Sequence, residues 1–173
     1  MSAWSRITET KVKFIFFPIT LFYWGVIFWR NVFYNFRFFV SRKVPSKIIS
    51  VGNLTAGGTG KTPAVIYLSQ FFKKRNYKVA VLSRGYGRKT AGTQLVTNGK
   101  ETVDDWRNFG DEPTLISQKL KDVPIVVDQN RYRGAMYLIE KFNPDIIIMD
   151  DAFQHRSIER DLDLVLINSQ API

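Results

Sequence analysis

The chain has 173 residues, 45% of them hydrophobic, enough to bury the core of one domain with an appendage and too apolar for extended disorder. It contains no cysteine, which excludes disulfides, thiol catalysis and Cys-ligated metals. The formal charge is +10, and residues 1–50 carry eight Lys/Arg against Glu9 alone, so this arm suits either nucleic acid or an anionic membrane.

What lies between the charges decides between those partners. Residues 14–29 run for 16 positions without a charge and are dense in Phe, Tyr and Trp, a composition foreign to nucleic-acid arms. A straight helical span needs about 20 apolar residues, and Pro18 and Gly25 interrupt this shorter run. Beyond it, Val32, Phe33, Phe36, Phe39 and Val40 recur at helical spacing, with Arg30, Asn31, Asn35 and Arg37 between them, as in an interfacial amphipathic helix. Residues 1–44 are therefore expected to form a membrane-associating helical segment, either inserted or lying on the bilayer, with Trp/Tyr at the interface. A cleaved signal peptide fits less well, because bulky and basic residues follow the apolar run. A buried core hairpin is the other alternative. Val44-Pro45-Ser46 marks the expected boundary with a globular domain over 45–173.

From there strands and helices alternate. Lys47 to Val51 is a short β-branched run that predicts a buried strand, and Pro63 to Phe72 predicts a helix with proline in its first turn. Lys78 to Leu82 predicts a second strand. Thr93 to Thr97 and Glu101 to Val103 flank Asn98-Gly99, the pattern of a two-residue hairpin turn. Gly110-Asp111-Glu112-Pro113 opens a helix to about Leu120, Pro124 to Val127 is a strand, and Arg131 to Phe142 a helix. Asp145 to Asp150 and Leu162 to Ile167 complete the set. The expected fold is α/β: a three-layer, mainly parallel sheet of the P-loop NTPase type with right-handed crossovers.

Between the first strand and helix lies Ser50-Val51-Gly52-Asn53-Leu54-Thr55-Ala56-Gly57-Gly58-Thr59-Gly60-Lys61-Thr62-Pro63. Glycines let several backbone N–H groups converge on one phosphate, and the helix N-terminus adds partial positive charge there. Lys61 would reach the β- and γ-phosphates and Thr62 a Mg²⁺ position. The usual pattern places glycine five positions before Gly60, where this chain has Thr55. Gly52, Gly57 and Gly58 still supply loop flexibility. The nucleotide-binding set is Thr55, Ala56, Gly57, Gly58, Thr59, Gly60, Lys61 and Thr62.

In such a sheet ligands lie at the carboxyl ends of the strands. Asp150 and Asp151 end an apolar strand, which with a P-loop nearby makes them candidate Mg²⁺ ligands beside Thr62. Asp111 could orient and deprotonate an acceptor hydroxyl, although an Asp two residues before a proline at a helix start is more simply an N-cap. His155, the only histidine, could tune a metal site or act as a base, while a lone histidine is usually structural. Arg84, Arg88, Arg131 and Arg133 could grip phosphates, and the glycines of Arg84-Gly85-Tyr86-Gly87 permit close approach to a ligand.

At these residues the chain resembles the tetraacyldisaccharide 4'-kinase (lipid A 4'-kinase) family. The resemblance rests on the loop from Val51 to Pro63, on Ser83-Arg84-Gly85-Tyr86-Gly87, on Gly110-Asp111-Glu112-Pro113 and on Asp150-Asp151-Ala152-Phe153-Gln154-His155-Arg156, four motifs in order. That family's loop also lacks the first glycine. The resemblance implies ATP and Mg²⁺ as cofactors and transfer of the γ-phosphoryl group to the 4'-hydroxyl of a tetraacylated glucosamine disaccharide 1-phosphate. The place would be the cytoplasmic face of the inner membrane, with an anionic membrane surface and no nucleic acid as partner. It makes Lys61 and Asp111 catalytic, Asp111 as the base, and assigns the metal to Thr62, Asp150 and Asp151. Arg84, Tyr86, Gln154 and His155 are candidate substrate or phosphate contacts. Family members look nearly twice this long, with a second lobe and a histidine partner for the catalytic Asp beyond the region present, so a fragment of a longer enzyme is expected. The rival reading is a membrane-attached P-loop ATPase or GTPase switch without a lipid acceptor; a nonenzymatic anchor with an anion-binding loop is another.

Overall fold

The structure, a computed structural model, describes residues 21–25, 28–29, 41–53, 60–153 and 157–167. It divides into two compact units, residues 1–41 and 42–173. In the first, residues 21–25 and 28–29 are helical; Phe22, Tyr23, Trp24, Phe28 and Trp29 are exposed, and the Trp24 and Phe28 rings stack. Among the described residues no helix is long and apolar enough to cross a membrane. Of the expected anchor, residues 1–20, 26–27 and 30–40 lie outside the described residues. The units divide at Ser41/Arg42 rather than at Pro45, because Arg42 already bridges Ile158 and Val44 is buried in the second unit's core.

The second unit contains β1 (Lys47–Asn53), α1 (Lys61–Lys73), β2 (Val79–Ser83), β3 (Gln94–Thr97), α2 (Trp106–Phe109), α3 (Asp111–Lys119), β4 (Ile125–Val127), α4 (Arg131–Phe142), β5 (Ile146–Asp150) and β6 (Leu162–Leu166). The sheet order is β3-β4-β2-β5-β1-β6, and every pairing is parallel except β3 with β4. The α/β, mainly parallel expectation is met. All of β2 and β5 is buried, as in a sheet covered on both faces, which is why these strands read as continuous apolar runs. Successive side chains point to opposite faces: Val51, Val81 and Ile148 pack with Val65 of α1 and Ile116 of α3. Leu82, Ile147 and Met149 pack with Ala135 and Leu138 of α4. Two helices therefore cover one face and α4 the other.

The expected hairpin does not form. Residues 101–103 are not a strand, and β3 instead adds antiparallel to β4. The Asn98-Gly99 turn is real but is satisfied locally: Thr97 Oγ1 accepts from Gly99 N and donates to the Glu101 carbonyl, and Asn98 Oδ1 accepts from Lys100 N. Gly99, at φ 94°, lies so close to the next connection that an added Cβ would fall 2.5 Å from Val123 N, and Asp122 N donates to its carbonyl.

Candidate active site

At the end of β1 the chain enters the glycine loop and re-emerges at Gly60, the N-cap of α1. Gly60 is left-handed, at φ 81° and ψ 22°, with open space where a Cβ would be. A side chain there is opposed by backbone strain alone, about 1–2 kcal/mol. No side chain caps this helix, so the first-turn N–H groups of Lys61 and Thr62 are left to an anion, and Pro63 has none to leave unmet. The Lys61 ammonium donates to Asn53 Oδ1 at 3.1 Å and lies 3.6 Å from Asp151 Oδ1. One cation is thereby held between the ends of two adjacent strands.

Gly52 has a different role from the loop flexibility expected of it. It lies inside β1, and a Cβ there would come 2.5 Å from Phe153 Cβ and 3.0 Å from Phe153 N. The segment following β5 crosses directly over the end of β1, with Ala152 N donating to the Val51 carbonyl. The missing side chain lets Asp151 come within reach of Lys61.

The carboxylates differ sharply. Asp150 is 2% exposed; its Oδ2 accepts from Ser83 Oγ at 3.2 Å and its Oδ1 has no partner. Burial, reinforced by the negative charge of Glu112 and opposed by Arg131, pushes its pKa up to about 6. Asp151 adopts a left-handed conformation at φ 50° and is half exposed. Two arginines hold this turn by its backbone. Arg131 Nη2 donates to the Asp150 and Asp151 carbonyls at 2.7 and 3.3 Å, and Arg160 Nη1 to those of Ala152 and Phe153 at 3.2 and 2.8 Å. The four carbonyls are occupied, and the acids are free to face the crevice.

This corrects the reading of the arginines as phosphate grips. Arg131 is fully buried at the start of α4, where burial lowers its pKa to about 10. Arg133 forks onto buried Asp128, with both contacts at 2.8 Å. Burial would raise the Asp128 pKa, but hydrogen bonds from Arg133, Thr93 and Asn130 N outweigh it and hold the carboxyl below its usual range. Arg88 donates to the Val127 and Gly92 carbonyls. Arg84 and Tyr86, by contrast, are exposed beyond β2.

Asp111 is not an N-cap. Gly110 takes that position at φ 97°, and Asp111 is the first residue of α3. The register is set by close packing: a Cβ on Gly110 would fall 2.8 Å from the Tyr86 carbonyl, and one on Gly85 2.8 Å from that of Phe109. The Arg84–Gly87 loop and the start of α3 therefore interlock, with Asp111 exposed beside them. Its neighbour Glu112 is close enough to Asp150 to raise that group's pKa, so the start of α3 faces the end of β5. Lys61 thus lies against Asp151, and Glu112 at the start of α3 lies near Asp150.

A family model for tetraacyldisaccharide-1-P 4'-kinase matches residues 12–173. The chain belongs to that family. The tetraacyldisaccharide 4'-kinase of Chlorobium luteolum is 39% identical over 167 residues, 95% of this chain and 47% of that protein. The enzyme of Aquifex aeolicus is 40% identical over 153 residues, 88% and 48% respectively. A crystal structure of LpxK from Aquifex aeolicus in complex with ATP superposes with a TM-score of 0.82 at 39% identity, covering 92% of this chain and 50% of that one. The chain spans about half the length of the curated relatives it matches. Of the site expected for this kinase family, Thr55 to Thr59, Gln154 and His155 lie outside the described residues. Asn53, Ser83 and Glu112 were not singled out from the sequence, although each stands in a quoted motif at a strand end or helix start. Arg160 lay outside every motif.

Proposed function

We propose that this chain carries the nucleotide-binding half of an ATP-dependent kinase that phosphorylates the 4'-hydroxyl of a tetraacylated glucosamine disaccharide 1-phosphate. The observation that carries the reading is Lys61, which follows a glycine-rich sequence, lying 3.6 Å from Asp151 at the carboxyl ends of two parallel strands. The N–H groups of Lys61 and Thr62 and the Lys61 ammonium would bind the β- and γ-phosphates, and Asp111 would accept the acceptor's proton. The 4'-oxygen forms a bond to the γ-phosphorus as the bond to the β-phosphate oxygen breaks, giving ADP and the 4'-phosphorylated lipid. Arg84 and Tyr86 would orient the acceptor.

The donors suit a divalent cation: Asp150 Oδ1 is buried without a partner, and the half-exposed Asp151 follows it on the same turn, with Thr62 next to Lys61 in the chain. No group of three or more acidic or histidine side chains gathers among the described residues, so Mg²⁺ would share these ligands with phosphate oxygens and water. When bound it would offset charge developing on the transferred group. The aromatic, basic N-terminal segment supports work at an anionic bilayer, placed at the cytoplasmic face of the inner membrane where ATP is present.

The test is transfer from ATP labelled at the γ-phosphate to the acylated disaccharide in detergent. Label entering the lipid with native protein and absent with Asp111→Ala supports the kinase. Acceptor-independent hydrolysis supports the switch instead.

A further inference from the structure

Arg160 stands outside the expected site, yet it holds the chain beside one of the site's acids. Its Nη1 donates to the carbonyls of Ala152 and Phe153, the two residues that follow Asp151, and its Nε lies 3.2 Å from Asp163 Oδ1. The backbone on either side of Arg160 is tied down. Glu159 N donates to the Arg42 carbonyl, Asp161 N to the Ile48 carbonyl and Ile48 N to Asp161 Oδ2, while Ile158 is buried in the core. Further along β1, Asp163 pairs with Ser50, and Ala152 N donates to the Val51 carbonyl. The side chain thus reaches along β1 from the level of Ile48 to that of Val51, a span that suits the long stem and forked donors of arginine.

We infer that Arg160 is a positioning residue of the nucleotide site, acting through Asp151. The inference rests on the kinase reading and extends it to what fixes the carboxylate beside Lys61. Asp151 is left-handed at φ 50°, a conformation that strains a residue with a Cβ and persists only where its surroundings impose it. Arg131 fixes the carbonyls of Asp150 and Asp151, and Arg160 fixes the next two. Without Arg160, the Ala152 and Phe153 carbonyls lose this donor, the turn relaxes, and the Asp151 carboxylate leaves its place 3.6 Å from the Lys61 ammonium. The Arg160 side chain is only 16% exposed and is engaged by Asp163 and the turn, so it acts on a ligand through the turn and not by contact.

The experiment is a double-mutant cycle on the full chain, read by calorimetric titration with ATP in the presence and absence of Mg²⁺. Arg160→Ala should weaken binding of ATP with Mg²⁺ about tenfold, equivalent to about 1.4 kcal/mol. Binding of ATP alone should weaken by less than about twofold, because Lys61 serves the phosphates and Asp151 the cation. In an Asp151→Asn background the same substitution should cost less than about twofold with or without Mg²⁺. A loss of equal size in both backgrounds, or one indifferent to Mg²⁺, overturns the positioning role, since a merely structural residue would weaken binding in every arm. Unchanged affinity in Arg160→Ala overturns it too, and in each of these outcomes ATP binding by the native chain leaves the kinase reading intact. If Arg160→Ala does not fold, Arg160→Lys keeps a charge beside Asp163 without the fork that spans two carbonyls. A loss in that variant that disappears in the Asp151→Asn background supports the role, and no loss, or one that remains, overturns it. If the native chain binds no ATP, the kinase reading falls and the positioning role with it.

Discussion

The Lys61 ammonium lies 3.6 Å from Asp151 Oδ1 and donates to Asn53 Oδ1, so this cation is held by oxygens of its own chain. Asp151 is half exposed, and such pairs contribute only about 0–1 kcal/mol. Lys61→Ala should therefore leave the thermal transition nearly unchanged while ATP affinity falls at least tenfold in calorimetric titration. A large drop in melting temperature with unchanged ATP affinity would show Lys61 to be structural.

Asp150 imposes a pH dependence of definite sign. Its pKa is about 6 in the folded chain against the usual 3.8, so the folded state holds the proton more tightly than the unfolded one. Its contribution to stability is most favourable below the unfolded value, and is lost as pH rises from about 4 to about 6. Asp150→Asn fixes the neutral form. The variant should be more stable than the native chain by up to about 3 kcal/mol at pH 8, the difference closing by pH 4. Denaturant melts across that range measure it; a variant destabilised equally at both ends would show that the Ser83 hydrogen bond dominates.

How much of this was legible in the sequence depends on whether the cause is local. The bounds of α4, Arg131 to Phe142, follow from flanking residues that cap it: Asn130 accepts from Arg133 N, and Asn143 takes the left-handed C-cap. β5 was visible because a strand buried on both faces is apolar throughout. The partner of β3 was not visible, because an edge strand's pairing depends on which distant strand lies beside it, and the Asn-Gly turn said only that the chain bends. Asp111 was misplaced by one position because Gly110 is fixed by the Tyr86 carbonyl, a contact made across 24 residues. Likewise nothing near Arg131 announced that the guanidinium would be buried under the Asp150-Asp151 turn.

Gly52→Ala should damage the site without touching a ligand. The added Cβ meets Phe153 at 2.5 Å, so either β1 or the turn carrying Asp151 must shift, at about 1–3 kcal/mol. Affinity for ATP with Mg²⁺ should fall together with stability, whereas Gly60→Ala, where space is open, should strain only the backbone. Equal and negligible effects from both would mean that the Phe153 crossing yields readily.

The two compact units predict separable functions. Residues 1–50 hold eight Lys/Arg against a single acid, and attraction of such a segment to anionic lipid weakens within a Debye length as salt rises. The buried core around β1, β2 and β5 is built from residues between Val44 and Ile158. Deleting residues 1–40 should therefore abolish sedimentation with anionic vesicles while ATP affinity persists. Lys61→Ala should do the reverse, losing ATP while remaining on the vesicles. A deletion variant that still sediments at moderate salt would move the membrane contact to the second unit, and one that loses both properties would show that the segment is needed for folding.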